Sequence, residues 1–231
     1  MNNAAIIPAR GGSKGIPKKN LLNFCGKPLI YWSIKQAQLS KNIDSVWVTS
    51  DDCEILEVAS SFGADVIKRP KNLASDFSSS ESAWIHAIDY IHRETNYVLE
   101  YVIGLQPTSP LRNYCDFDLA IDYFCRNKFD TLLSVCEIED FFIWKNNKEN
   151  LFVPTNYDLD NRKRRQNIEK KFLENGSFYI FKSEFIKKNN NRLGGNLGKY
   201  LMEKHKMFQI DNFEEVKLCE AIMKNYNLDK I

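Results

Sequence analysis

Short apolar runs alternate with longer stretches in which apolar side chains recur every third or fourth residue. The run AAIIP at 4–8 has the length and apolar content of a strand. From Lys27 to Ser40, Leu29, Ile30, Ile34 and Ala37 follow a helical period, which predicts a helix. SVWVTS at 45–50 predicts a second strand, followed by a helix from Asp52 to about Phe62. ADVIKR at 64–69 predicts a short third strand, and the serines of DFSSSES are N-cap candidates for a helix running to about Thr95. VLEYVIGLQ at 98–106 reads as a buried central strand that PTSPLR breaks abruptly. A helix over 116–126 and a strand over 130–137 follow. Further on, GSFYIFK at 176–182 returns to the sheet, HKMFQID at 205–211 predicts a last strand, and 212–226 a closing helix.

Strands alternating with helices predict an α/β fold, a mostly parallel twisted sheet flanked by helices. In such sheets ligands sit past the carboxyl ends of the strands, where loops 9–20 and 106–112 fall. Between 139 and 174 the pattern is lost: FFIWKNNKENLFVP and then NYDLDNRKRRQNIEKK carry no clean helical period. Residues 1–138 and 175–231 therefore read as the core domain, and 139–174 as an inserted arm, either a lid or a dimerisation element. Phe141, Phe142, Ile143 and Trp144 are too apolar for an exposed lid, which favours dimerisation.

Composition narrows the class of partner. With 43% apolar and 27% charged residues in 231, the chain is an ordinary globular one. A net charge of +2 offers no general pull toward nucleic acid or a membrane surface. No apolar run approaches the roughly 20 residues of a membrane helix, and the start of the chain lacks the build of a signal peptide. The cysteines, 25, 53, 115, 125, 136 and 219, form no C-x-x-C pair, and His86, His92 and His205 do not complete a metal set with them. Free thiols in a reducing compartment, and so a cytoplasmic protein, are the expectation.

The chemistry concentrates in IIPARGGSKGIPKKN, Ile6 to Asn20, where an apolar strand hands over to a loop of glycines and basic residues. Glycines let backbone N–H groups approach phosphate oxygens, and Arg10, Lys14, Lys18 and Lys19 neutralise charge. The spacing fits neither G-x-x-x-x-G-K-[ST] nor G-x-G-x-x-G, which excludes the two familiar phosphate loops. The alternative is a solvated basic turn, a reading that the glycines directly after a strand weaken.

This stretch resembles the signature of the cytidylyltransferases that make CMP-sialic acids and related CMP-nonulosonates. RPKNLASD (69–76) resembles that family's R-P-x-x-L-A-x-D, LQPTSPLR (105–112) is close to another family string, and RQ (165–166) with ENGSFYI (174–180) resembles its R-Q…N-G-x-x-Y block. The resemblance spans essentially the whole chain. It implies an α/β nucleotidyltransferase fold, a homodimer, and transfer of CMP from CTP to a nonulosonic acid with release of pyrophosphate, for surface glycan synthesis. Which nonulosonate, N-acetylneuraminic, legionaminic or pseudaminic, stays open.

Roles follow residue by residue. Arg10 and Lys14 suit the charge that gathers on leaving pyrophosphate. Gly12, Ser13 and Asn20 would contact phosphate or ribose, and by the resemblance Arg69 and Ser80 hold the nucleotide. Lys18 reads as a solvated charge, with Lys19 between the two roles. Gln106 and Thr108 supply hydrogen bonds at a strand end, and the resemblance sets Gln106 against the sugar acid; a purely structural turn, with Arg112 capping a neighbour, is the alternative. Arg165 offers a guanidinium for the sugar carboxylate, and Gln166, Asn175 and Tyr179 belong to the same family block. Glu169 and Leu173 depart from it, standing where relatives carry proline and arginine. Phosphoryl transfer of this type uses Mg2+ or Mn2+. The family's D-x-D becomes Gln209 and Asp211 here, so Asp211 is the metal candidate unless it caps the last helix. Two other readings are a cytidylyltransferase for another acidic sugar such as Kdo and a nucleotide-binding homologue without catalysis.

Overall fold

The computed structural model of the chain describes residues 2–138 and 142–231, the side chain of Arg165 excepted. Phe141, counted above among the apolar residues of the arm, and the first two residues of that arm lie outside the described residues. In chain order the elements are β1 (Asn3–Pro8), a hairpin of β2 (Asn23–Phe24) and β3 (Lys27–Pro28), α1 (Leu29–Leu39), β4 (Val46–Ser50), α2 (Cys53–Ser61) and β5 (Asp65–Lys68). After them come α3 (Ser80–Thr95), β6 (Tyr101–Leu105), α4 (Tyr114–Arg126), β7 (Thr131–Ile138), and a hairpin of β8 (Trp144–Asn146) and β9 (Phe152–Pro154). The chain closes with β10 (Lys171–Lys182), α5 (Ser183–Asn189), β11 (Leu197–Met202) and α6 (Phe213–Asn225). Among the described residues no helix is long and apolar enough to cross a membrane.

Seven strands form one sheet in the order β11-β7-β10-β6-β1-β4-β5. All neighbours are parallel except β10, which runs antiparallel to both β6 and β7. The mostly parallel α/β sheet is therefore as expected, with one reversed strand inside it. Parallel strands buried on both faces need helices on both. One face packs Ile30, Ile34, Ile55, Phe117 and Phe124 from α1, α2 and α4, and the other packs Trp84, Ile88, Ile91 and Ile186 from α3 and α5.

Gly104, in the middle of β6, shows why a glycine interrupts a buried strand. A Cβ there would lie 2.8 Å from the Trp84 ring and 2.9 Å from Phe181. The missing side chain is what admits the tryptophan. Trp84, fully buried, also donates its indole N–H to the carbonyl of Ile6 at 3.2 Å. Those contacts fix the first turns of α3 beside the end of β1.

The last strand corrects the sequence expectation. Residues 205–211 form no strand; Lys204–Met207 is a short 3-10 turn, and the added edge strand is β11. Its pattern hides it, because Leu197 and Leu201 are exposed while Gly198 and Met202 face inward. Gly198 is required because a Cβ would strike the ring of Phe129 at 2.5 Å. Strand β10 begins at Lys171, pairing with Ile138, so the ladder already runs through the residues just before the NG pair.

Candidate active site

At the carboxyl ends of β1 and β6, adjacent central strands, lies a cavity of about 520 Å³. The loop after β1 forms one wall. Its backbone is pinned in several places: Gly11 N–H donates to Asp51 Oδ1 at 3.1 Å, buried Asn20 donates from Nδ2 to the Arg10 carbonyl at 3.0 Å, and Ile16 is buried with α6. Two glycines are needed for close approach. A Cβ on Gly11 would meet the Asp52 carboxylate at 2.6 Å, and one on Gly15 would collide with the Asp211 carbonyl. Gly12 has open space around it and lies off the cavity lining.

The loop's basic residues divide clearly. Lys18 is exposed and pairs with Glu54 at 2.5 Å, which raises its pKa; as expected, it faces solvent. Arg10 and Lys14 reach into the cavity, where both hold one carboxylate, Asp76, at 3.1 and 2.9 Å. Lys19 bonds the Ile210 carbonyl at 3.1 Å and Asp211 at 2.9 Å, tying this wall to the one opposite.

Arg69, just beyond β5, lines the same cavity and is 5% exposed. Its buried Nε has no hydrogen-bond partner among the described residues. Burial depresses its pKa; Asp51 opposes that shift and Arg10 adds to it. A buried guanidinium without an acceptor is costly, and the group faces the cavity from which an acceptor would come. Opposite it, Ser79 caps α3 by accepting from Ser82 N–H, so the N-terminus of a 16-residue helix, with Ser80 as its first residue, also opens onto the cavity. Helix N-termini favour anions.

The turn after β6 brings Gln106 and Thr108 to the floor. Arg112 does not face the cavity. It is fully buried and donates to Gln36 Oε1 at 2.9 Å, to Ser33 Oγ at 2.5 Å and to the Ser177 carbonyl at 2.5 Å, with longer contacts to the Gln106 carbonyl. Burial pushes its pKa down, against Asp116. Behind the turn, β10 shifts register between Glu174 and Tyr179, and Gly176 there has φ of +63°, a left-handed value that glycine adopts without strain. A Cβ at Gly176 would meet Gln106 Oε1 at 2.7 Å and Gln209 Nε2 at 2.8 Å, so this bulge seats both amides.

Ten of the residues singled out from sequence meet at one cavity: Arg10, Ser13, Lys14, Lys19, Asn20, Arg69, Ser80, Gln106, Thr108 and Asp211. Others do not reach its lining. Gln166 is exposed on the 165–167 turn. Asn175 is wholly buried and spends its amide inside the fold, accepting from Ser134 Oγ at 2.7 Å and donating to the Lys206 carbonyl at 3.1 Å. Tyr179 is buried, donates its hydroxyl to Glu174 at 2.5 Å and lies under Arg192 at 4.5 Å. Sequence reasoning gave no role to Asp76 or to Trp84, whose ring lines the cavity. The signal for Trp84 was Gly104 in a buried strand.

Asp211 does not cap α6. That position belongs to Asn212, which accepts from Glu215 N–H at 3.0 Å in a capping box. The Asp211 carboxylate, 69% exposed, is left for Lys19 and the cavity. Among the described residues no three His, Cys, Asp or Glu side chains form a metal cluster. A single exposed carboxylate, here held by Lys19 at 2.9 Å, fits a divalent ion that takes its other ligands from phosphate and water, and Gln209, seated over Gly176, brings only a neutral amide.

A basic glycine loop, a helix N-terminus and a buried arginine around one cavity at the carboxyl edge of a parallel sheet define a nucleotide-binding α/β protein. The sequence profile of the cytidylyltransferase family matches residues 4–230, and the chain belongs to that family. It is 32% identical to the pseudaminic acid cytidylyltransferase of Campylobacter jejuni strain 81-176, over 97% of each chain. It is 38% identical to the N-acylneuraminate cytidylyltransferase of Oncorhynchus mykiss, matching 77% of this chain and 40% of that longer protein. Among solved structures, a CMP-2-keto-3-deoxy-manno-octonic acid synthetase complexed with CTP superposes with a TM-score of 0.73 at 15% identity, covering 98% of this chain and 100% of that one. A 4-diphosphocytidyl-2C-methyl-D-erythritol synthase superposes with a TM-score of 0.70 at 8% identity, over 96% and 99%. At such identities the two structures speak for the fold.

Proposed function

We propose that this chain activates a nonulosonic acid with CTP, giving the CMP-sugar and pyrophosphate. The observation that carries the reading is the buried, unpartnered Arg69 in the same cavity as Arg10, Lys14 and the N-terminus of α3. Four groups that favour anions or acceptors surround a space whose acidic lining residues are Asp76 and Asp211. The family relatives named for pseudaminic and N-acylneuraminic acids supply the substrate class.

In this reaction the anomeric hydroxyl oxygen of the sugar forms a bond to the α-phosphorus of CTP while the bond to the bridging α–β oxygen breaks, and the hydroxyl proton is released to water. Negative charge grows on the departing pyrophosphate, where Arg10 and Lys14 stabilise it. Arg69 and Ser80 orient the nucleotide, and Gln106 and Thr108 present hydrogen bonds to the sugar. Asp211 would hold Mg2+ or Mn2+, which when bound spreads charge across the phosphate oxygens. Arg165 takes the sugar carboxylate: Arg165→Ala raises the KM for the sugar acid about tenfold with little change for CTP. An equal change in both KM values removes Arg165 from the sugar site.

The protein works as a homodimer in the cytoplasm, where CTP is made. Exposed Ile143, Leu151 and Phe152 in and just before the β8–β9 hairpin support the first point, and six cysteines that form no disulfide support the second. Sedimentation at micromolar concentration checks the dimer. Pyrophosphate release from CTP with N-acetylneuraminic, legionaminic and pseudaminic acids and with Kdo, with and without Mg2+, tests the reaction. If CTP binds and none of the three nonulosonates yields pyrophosphate, the reading fails.

A further inference from the structure

Arg10 and Lys14 come from the glycine loop, yet both are engaged by a residue of another segment. Asp76 Oδ1 meets Arg10 Nη1 at 3.1 Å and Asp76 Oδ2 meets Lys14 Nζ at 2.9 Å. The Ser75 carbonyl adds a longer contact to Arg10 at 3.4 Å. One carboxylate thus spans two cations with its two oxygens, as two oxygens of a phosphate group would. All three residues line the cavity.

The segment carrying Asp76 lies between β5 and α3 and has little else to hold it. Ser75 N–H and the Asn72 carbonyl both bond Ser78 Oγ, at 3.1 and 3.0 Å, which shapes a local turn. Phe77, next in the chain, is 100% exposed and anchors nothing in the core. The ion pairs are themselves solvent-accessible, with Asp76 42% exposed and Lys14 75% exposed. Pairs of this kind are weak and screened by salt. Arg10 and Lys14 therefore meet an arriving anion already occupied, by a partner that is easily displaced.

We propose that Asp76 is an internal competitor for the pyrophosphate moiety, which weakens the hold of Arg10 and Lys14 on CTP and on released pyrophosphate while leaving the nucleoside monophosphate end untouched. The inference rests on the functional reading above, in which Arg10 and Lys14 take the leaving group. When phosphate oxygens occupy those cations, the carboxylate must swing away, since two anions on the same pair repel. When pyrophosphate departs, Asp76 returns. The residue thus trades affinity for product release and sets how strongly pyrophosphate inhibits.

Calorimetric titration of CTP, CMP and inorganic pyrophosphate into the wild-type chain, Asp76→Asn, Asp76→Glu and Glu54→Gln tests this. Asp76→Asn should lower the Kd for both pyrophosphate and CTP about three- to tenfold, from the loss of two exposed pairs. The Kd for CMP should change less than about twofold. Asp76→Glu keeps a carboxylate and should stay near wild type. Glu54→Gln removes an equal charge from the Lys18 pair on the same loop and should leave all three affinities within about twofold, which separates direct competition from general charge. Weaker binding of CTP or pyrophosphate to Asp76→Asn overturns the proposal, as does an equal shift for CMP or for Glu54→Gln. A wild-type chain that binds CMP but neither CTP nor pyrophosphate instead removes the functional reading itself.

Discussion

The two walls of the cavity are built on opposite electrostatic principles. The front wall, loop 9–20 with the segment that carries Asp76, holds its charges in exposed pairs: Arg10 and Lys14 with Asp76, Lys18 with Glu54. Behind the opposite wall, the charges lie in the dry interior, off the cavity lining. Arg112 is fully buried against neutral oxygens, and Lys206, 4% exposed, is clamped to both oxygens of Asp116 at 3.0 and 2.9 Å and to Glu203 at 2.6 Å. Burial alone would lower the pKa of Lys206, but the Asp116 and Glu203 carboxylates outweigh it and raise it. The Lys206 carbonyl takes the Asn175 amide, and four residues on Ile210 N–H bonds the Thr108 carbonyl at 2.8 Å. The back is a rigid frame that seats Gln106, Gln209 and Asp211. The front pairs are exposed and weak, so under the proposed function they are the ones a charged ligand would displace.

Breaking the frame should therefore destabilise, whereas changes at the front should alter binding. The largest effect is expected for Arg112→Met, which strands Ser177 O, Gln36 Oε1 and Ser33 Oγ in the interior. Urea unfolding should show a loss of about 3–5 kcal/mol, and a loss below about 1 kcal/mol would show that water reaches the site. Gly104→Ala presses a methyl group into Trp84 and Phe181 and should cost about 1–3 kcal/mol by the same measurement. Because Trp84 also lines the cavity, the KM for CTP should rise with it.

Arg69→Met sharpens the contrast from the other side. It removes a buried cation that lacks an acceptor, so thermal stability should hold or rise, while CTP affinity falls about tenfold or more. A drop in Tm together with unchanged CTP affinity would move Arg69 into the frame. The smallest effect belongs to Lys18→Ala, which should change neither stability nor CTP affinity beyond about twofold. Acidity supplies a further check on the front. The Lys14 hydrogen bond, with Arg10 adding to it, holds the Asp76 carboxyl below its ordinary value. A group lowered in this way contributes above its unfolded pKa and loses that contribution as pH falls through its folded value. Between about pH 5.5 and 8.5, the ratio of wild-type to Asp76→Asn pyrophosphate affinity should therefore stay constant.

Much of the sheet was legible because buried parallel strands are short apolar runs and the intervening helices repeat at a helical period. The edge strand β11 was not, since Leu197 and Leu201 face solvent and its inward positions are Gly198 and Met202. Residues 205–211 mimicked a strand because Met207, Phe208 and Ile210 alternate loosely with polar neighbours. In the fold, the buried clamp on Lys206 bends that segment into a turn. The site divides in the same way. The glycine loop and the turn after β6 announce themselves by composition and spacing. The NG pair looks like a binding motif in sequence, yet Asn175 is a buried bracket whose role depends on four neighbours remote along the chain: Ser134, Ser109, Met202 and Lys206.

By itself the sequence determined the fold class, the family and the place of the basic glycine loop, because these rest on local pattern and on strings that few folds share. Only the tertiary structure decided which charges meet. Arg10 and Asp76 stand far apart in the chain, as do Lys19 and Asp211, and no periodicity links them. Burial is likewise a property of the whole. Arg69 and Arg112 each stand within two residues of a proline, and both are buried, Arg69 at the cavity and Arg112 away from its lining. One finds oxygens all around it and becomes structure. The other has an Nε without a hydrogen-bond partner and lines the cavity.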